Sequence, residues 1–199
     1  MACNTITVSC LDQLREDFPK IPIVGTVPVI KTAVERSENK RIGILSTKRT
    51  AASGEYQKNL IKQFASDCEV INIGTDKLVP LIEKAEINSN KFRNILKQVL
   101  KPFIKVQPNA IALGCTHFTL IKNQIQEILG TNVEILDSGE AIAQQVKRIL
   151  CAEGVIASKG IPSYRFYITG EKDTFSIIAE KLIESRFIDM VETVNLDHN

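Results

Sequence analysis

Nowhere in this chain does an apolar run approach the roughly 20 residues needed to cross a bilayer. Its start, Met-Ala-Cys-Asn-Thr, lacks the charged and apolar regions of a signal peptide. The protein is therefore expected in the cytoplasm, with no membrane partner. A basic stripe is equally absent: 25 basic and 23 acidic side chains are spread along the whole length for a formal charge of +2, so nucleic acid is not an expected partner. The five cysteines, Cys3, Cys10, Cys68, Cys115 and Cys151, form no CxxC pair and no disulfide-like spacing, which in a reducing compartment favours free thiols. Only one histidine lies near any cysteine, and Cys-x-His is not a usual zinc spacing, so no metal is expected. What is present is an ordinary globular composition. At 199 residues, 44% hydrophobic and 24% charged, the chain can bury a real core as one large domain or two small ones.

Short apolar runs at residues 21–27, 41–46, 69–73, 110–113 and 133–136 read as buried parallel strands. Between them, residues 52–64, 90–103, 120–129 and 140–150 carry apolar side chains at helical spacing with charge on the opposite face. This alternation predicts an α/β architecture with parallel sheets, whose ligands sit beyond the carboxyl ends of the strands. Pro102, Pro108 and Pro162 mark breaks; Tyr164 to Thr169 reads as a late strand, followed by a Gly170 turn and a closing helix to about Phe187. Cys3-Asn4-Thr5 opens directly on a helix at residues 6–15, without the apolar strand that an α/β unit places before it.

The strongest local signal is Ala110-Ile-Ala-Leu-Gly-Cys115-Thr-His117, an apolar strand running through Gly-Cys-Thr-His into a helix. It sets a thiol, a hydroxyl and an imidazole at a strand's carboxyl end, against the N–H groups of the next helix. A helix N-terminus or a neighbouring His lowers a thiol pKa from about 8.5, so a thiolate is expected there. Cys3-Asn4-Thr5 repeats the arrangement with a thiol, an amide and a hydroxyl. A cysteine on an apolar segment is most often an inert core residue, and Cys10, Cys68 and Cys151 are expected as such. His198, in a polar tail, is expected in solvent.

Taken in order, Ala2-Cys3-Asn4-Thr5, Gly43-Ile-Leu-Ser-Thr47-Lys-Arg-Thr50, Leu78-Val-Pro-Leu-Ile-Glu83 and Leu113-Gly-Cys-Thr-His-Phe-Thr-Leu-Ile121 form a pattern that resembles the glutamate racemases of the aspartate/glutamate racemase superfamily. The resemblance runs over essentially the whole chain. It implies two similar α/β lobes with parallel sheets flanked by helices: residues 1–28 with 138–199, carrying Cys3, and residues 29–137, carrying Cys115. The family normally begins with a strand ending in Asp-Ser-Gly and a later Tyr-Gly pair. Neither precedes Cys3, so the first lobe is expected to be N-terminally truncated, with exposed apolar surface beside residues 21–27. Asp137-Ser138-Gly139 repeats the letters of that motif at a different strand end, and takes no role from it. Phe118-Thr119 replaces the family's Tyr-Pro, a change expected to alter packing more than chemistry.

The resemblance further implies cofactor-independent racemisation of glutamate, supplying D-glutamate for peptidoglycan. Cys3 and Cys115 would be the two acid/base thiols on opposite faces of the substrate, with Asn4, Thr5, Thr116 and His117 binding its polar groups or assisting the adjacent thiol. Glu83 matches an acidic residue that helps the second thiol; by local sequence alone it is equally a solvated helix carboxylate. Glutamate is the expected small-molecule partner, with a homodimer common in the family. Two other readings stay open: a related enzyme acting on aspartate, a hydantoin or a maleate-type acid, and an inactive racemase-like fragment serving as a binding module.

Overall fold

The computed structural model describes residues 1–27, 29–157, 165–182 and 191–196. Its centre is a four-stranded, wholly parallel sheet of β1 (Arg41–Ser46), β2 (Glu69–Gly74), β3 (Ala110–Gly114) and β4 (Glu134–Leu136), in the order β2-β1-β3-β4. Side chains alternate across a strand, and both faces here are apolar. Leu45, Ile111 and Leu113 enter one core with Phe92, Leu96, Leu100 and Phe103 of α6 (Asn90–Val106). Ile42, Ile44, Ala110 and Ala112 enter the other with Ile30 and Ala33 of α2 (Ile30–Arg36) and Leu60 and Phe64 of α4 (Gly54–Phe64). The result is the expected α/β architecture, a parallel sheet flanked by helices.

The best-defined helix is α6. The Ser89 hydroxyl accepts a hydrogen bond from the Phe92 N–H at 3.0 Å, which satisfies one of the free donors of the first turn. Buried Phe92, Leu96, Leu100 and Phe103 then recur at helical spacing. Pro102 does not break the helix: it lies inside it, and the end comes at Gln107, whose φ of 55° is left-handed, just before Pro108. Burial of Leu100 and Phe103 on either side of Pro102 holds the turn despite the missing N–H. Opposite Phe103, Gly43 is the residue that lets the ring cross β1; a Cβ there would stand 2.7 Å from Phe103 and 2.8 Å from Ile111.

Residues 21–27, expected as a strand, form none. Their polar backbone groups go elsewhere: the terminal ammonium of Met1 donates to the Val24 carbonyl at 2.6 Å, the Thr26 N–H donates to Thr7 Oγ1 at 3.0 Å, and the Thr26 hydroxyl donates to the Met1 carbonyl at 2.7 Å. One terminal residue and one side chain do not make a ladder. These bonds pin the segment against α1 (Asn4–Asp17).

Beyond β4 the chain forms α9 (Gly139–Ala152), β5 (Phe166–Ile168), α10 (Lys172–Leu182) and β6 (Val191–Thr193), with β5 and β6 a parallel pair. Short helices α3 (Lys48–Ala51), α5 (Val79–Ile82), α7 (Thr116–Thr119) and α8 (Lys122–Leu129) complete the elements among the described residues. Pro162, Tyr164, Phe187 and His198 lie outside the described residues. The expected core thiols are corrected as well. Cys151 is exposed, Cys10 and Cys68 are only partly covered, and of the five it is Cys115 that is buried.

Candidate active site

In the order β2-β1-β3-β4, the strand that follows β1 in sequence lies to one side of it and β3 to the other. The carboxyl ends of β1 and β3 therefore form the crevice where open α/β sheets bind ligands. Ser46 and Gly114 are paired in register as the last residues of these strands. The next residues, Thr47 and Cys115, consequently emerge side by side at the crevice. Each is extended, at φ −69°, ψ 158° and φ −151°, ψ 128°, and each is the N-cap of a four-residue helix, α3 and α7.

Cys3 has the same local design. It is the extended N-cap of α1, at φ −136° and ψ 117°, and neither cysteine spends its sulfur on a capping bond. What brings α1 to the sheet is a triangle of hydroxyls. Thr5 Oγ1 lies 2.8 Å from Thr47 Oγ1 and 3.1 Å from Thr50 Oγ1, which are 3.1 Å from each other. Thr47 also caps its helix by accepting the Thr50 N–H at 3.2 Å. Thr5 thus joins the Cys3 corner to the end of β1, one strand away from Cys115. Thr47 and Thr50 were not among the sequence candidates, although a Thr ending an apolar strand with a second Thr three residues on is an N-cap signature. Beside Cys3, Asn4 is buried and its Nδ2 has no hydrogen-bond partner, an arrangement that costs free energy unless a ligand or water accepts from it.

Around Cys115, His117 Nε2 lies 3.1 Å from Glu83 Oε1, so the two candidates distant in sequence meet. Thr116 stands exposed at the first position of α7, while Phe118 is fully buried in the core. Along the far side of the pair runs a cleft of about 990 Å³ whose other wall is Tyr167 with Thr174, Phe175 and Ile178 of α10. The expectation of a thiolate at Cys115 is overturned. Burial pushes this thiol up, the N–H groups of His117 and Phe118 pull it down, and charge on Cys3 and on Glu83 pushes it up again, with a net rise. A one-turn helix offers two hydrogen bonds but little dipole, and desolvation wins. Among the described residues no three His, Cys, Asp or Glu side chains gather as a metal site.

The sequence model of the Asp/Glu/Hydantoin racemases matches residues 1–146. The chain belongs to this family. Among its relatives, the glutamate racemase of Shewanella sp. MR-7 is 42% identical over 150 residues, which are 75% of this chain and 54% of that protein. The one from Shewanella baltica OS155 is 37% identical over 174 residues, 87% of this chain and 61% of that protein. The chain thus spans little more than half the length of the curated relatives it matches. The structure of the Bacillus anthracis glutamate racemase isoform RacE1 superposes with a TM-score of 0.86 at 29% identity, covering 98% of this chain and 73% of that one. That of the Escherichia coli glutamate racemase, in complex with L-glutamate and an activator, gives 0.80 at 28% identity, covering 98% and 72%.

Proposed function

We propose that this racemase-family chain interconverts L- and D-glutamate without a cofactor, with Cys3 and Cys115 as the two acid/base thiols. The observation that supports this is the matched pair of corners: two cysteines, each the extended N-cap of a helix with no capping bond from its sulfur, and a Thr5–Thr47 bond that ties the helix headed by Cys3 to the end of β1. Residues 1–28 with 138–199 form one lobe and residues 29–137 the other.

Racemisation removes the α-proton from one face and delivers a proton to the opposite face. One thiolate takes the proton, leaving the electron pair on Cα and the adjoining carboxylate; the other thiol gives its S–H proton from the far side and becomes the thiolate. Each turnover starts with one thiolate and one thiol, and their roles reverse for the other enantiomer. The free Nδ2 of buried Asn4 supplies a donor for an anionic substrate, at little reorganisation cost because packing already holds it. Thr5 and Thr116 line the two corners. His117 faces the leaving or arriving proton at Cys115, and Glu83 is a positioning residue that orients the imidazole. The product D-glutamate enters peptidoglycan synthesis in the cytoplasm, with the enzyme as a homodimer.

The test is circular dichroism of L-glutamate incubated with the chain in the absence of any cofactor, with L-aspartate as the comparison. Loss of the glutamate signal toward zero, together with appearance of D-glutamate, is the expected result. Racemisation of aspartate alone would replace the substrate, and inertness toward both would reject the reading.

A further inference from the structure

Thr5 does not end its face of α1. Val8, Ser9 and Asp12 continue it at three-, four- and seven-residue steps, so the four side chains form one stripe along the helix. At its start the stripe touches α3, where Thr5 meets Thr47 and Thr50. Farther along, the two walls part and leave a groove of about 610 Å³, with Val8, Ser9 and Asp12 on one side and Arg49, Ala52 and Ser53 on the other. That volume falls within the roughly 300–1,000 Å³ of small-molecule sites. Both walls hang from the hydroxyl triangle: the Ser9 hydroxyl donates to the Thr5 carbonyl at 2.8 Å, and the Ser53 hydroxyl donates to the Thr50 carbonyl at 2.6 Å. The groove also carries one charge of each sign, Asp12 on the α1 wall and Arg49 on the α3 wall, both exposed. Neither enters an ion pair among the described residues, although Lys48, next to Arg49, finds Asp76 at 3.8 Å.

We propose that this groove is a second small-molecule site, separate from the cysteine crevice, and that it takes a free α-amino acid with a small aliphatic side chain. Its carboxylate lies on Arg49, whose guanidinium presents paired N–H donors to such a group. Its ammonium lies on Asp12, and its side chain rests against Val8 and Ala52. The pairing selects a zwitterion: a lone anion meets the repulsion of Asp12, and a lone cation that of Arg49. Bound across both walls, the amino acid holds α1 against α3 and so favours the arrangement in which Thr5, Thr47 and Thr50 are joined. It therefore acts as an effector of the crevice and is not its substrate. This assignment goes beyond the racemisation reading and does not depend on it.

The test is an NMR titration of the full, ¹⁵N-labelled chain with L-alanine. The backbone amides of Ser9, Asp12, Arg49 and Ser53 should shift together and saturate, and exchange of the α1 amides should slow. Acetate and methylammonium, which carry one charge each, should bind about tenfold or more weakly than alanine. Arg49→Gln and Asp12→Asn should each weaken alanine binding by about tenfold or more, with the amide spectrum of β1 to β4 unchanged because both side chains are exposed. No saturable shift, shifts confined to residues 115–117, acetate binding as tightly as alanine, or unchanged affinity in either variant would each overturn the proposal. Because binding is read without turnover, its outcome is separate from that of the racemisation assay.

Discussion

Thr5 and Thr47, 42 positions apart, share a hydrogen bond of 2.8 Å between their hydroxyls, and Thr50 closes the triangle. This contact ties the helix headed by Cys3 to the strand beside the one that ends at Cys115. Replacing Thr5 or Thr47 by Val keeps the shape and removes a partly buried hydroxyl, so each should cost about 0.5–1.5 kcal/mol in urea unfolding. The double variant should cost less than the two singles together, because both break the same bond. Strict additivity would show that the triangle is not a coupled unit.

The packing across β1 gives a second prediction. Gly43→Val puts side-chain atoms where Phe103 and Ile111 already stand, and overpacking of this kind costs about 1–3 kcal/mol. Phe103→Leu in the same chain should recover part of that loss. Equal stability of Gly43→Val and the parent would contradict the described contact.

Much of this fold is legible in the sequence, and the failures have physical causes. β1, β3 and α6 are read correctly because their apolar residues are placed by one periodicity that packing reinforces. Residues 21–27 carry the same β-branched signal but have no neighbouring strand, and composition cannot show whether a partner backbone is there. The Cys115 corner was recognisable from thiol, hydroxyl and imidazole in a row, but the direction of its pKa was not. That depended on burial beside Phe118 and on α7 being a single turn. Thr47 and Thr50 were missed because their role arises from Thr5 on another element.

The raised Cys115 predicts a pH dependence of stability. Below the ordinary thiol pKa of about 8.5 both folded and unfolded chains hold the proton, and this group leaves stability unchanged. Above it the unfolded chain ionises first, so stability falls as pH rises until the folded thiol also titrates. Cys115→Ala should flatten that alkaline decline, with a residue left from Cys68, which burial also pushes up. In native protein, iodoacetamide should modify exposed Cys151 before Cys115. An alkaline decline equally steep in Cys115→Ala would show that its pKa is not raised.

The His117–Glu83 pair predicts a non-additive effect. In the proposed function Glu83 works through the imidazole it bonds, so His117→Ala should lower kcat for racemisation more than Glu83→Ala. The double variant should then match His117→Ala alone. If the two losses multiply, Glu83 has a role of its own.

The most direct measurement of the central claim is deuterium uptake at Cα when L- and D-glutamate are each incubated with the chain in D₂O. The two-thiol account predicts uptake with inversion from both enantiomers, and its collapse in Cys3→Ser and in Cys115→Ser, because a serine hydroxyl is far less acidic than a thiol. Undiminished uptake in either variant, or none in the parent chain, would contradict it.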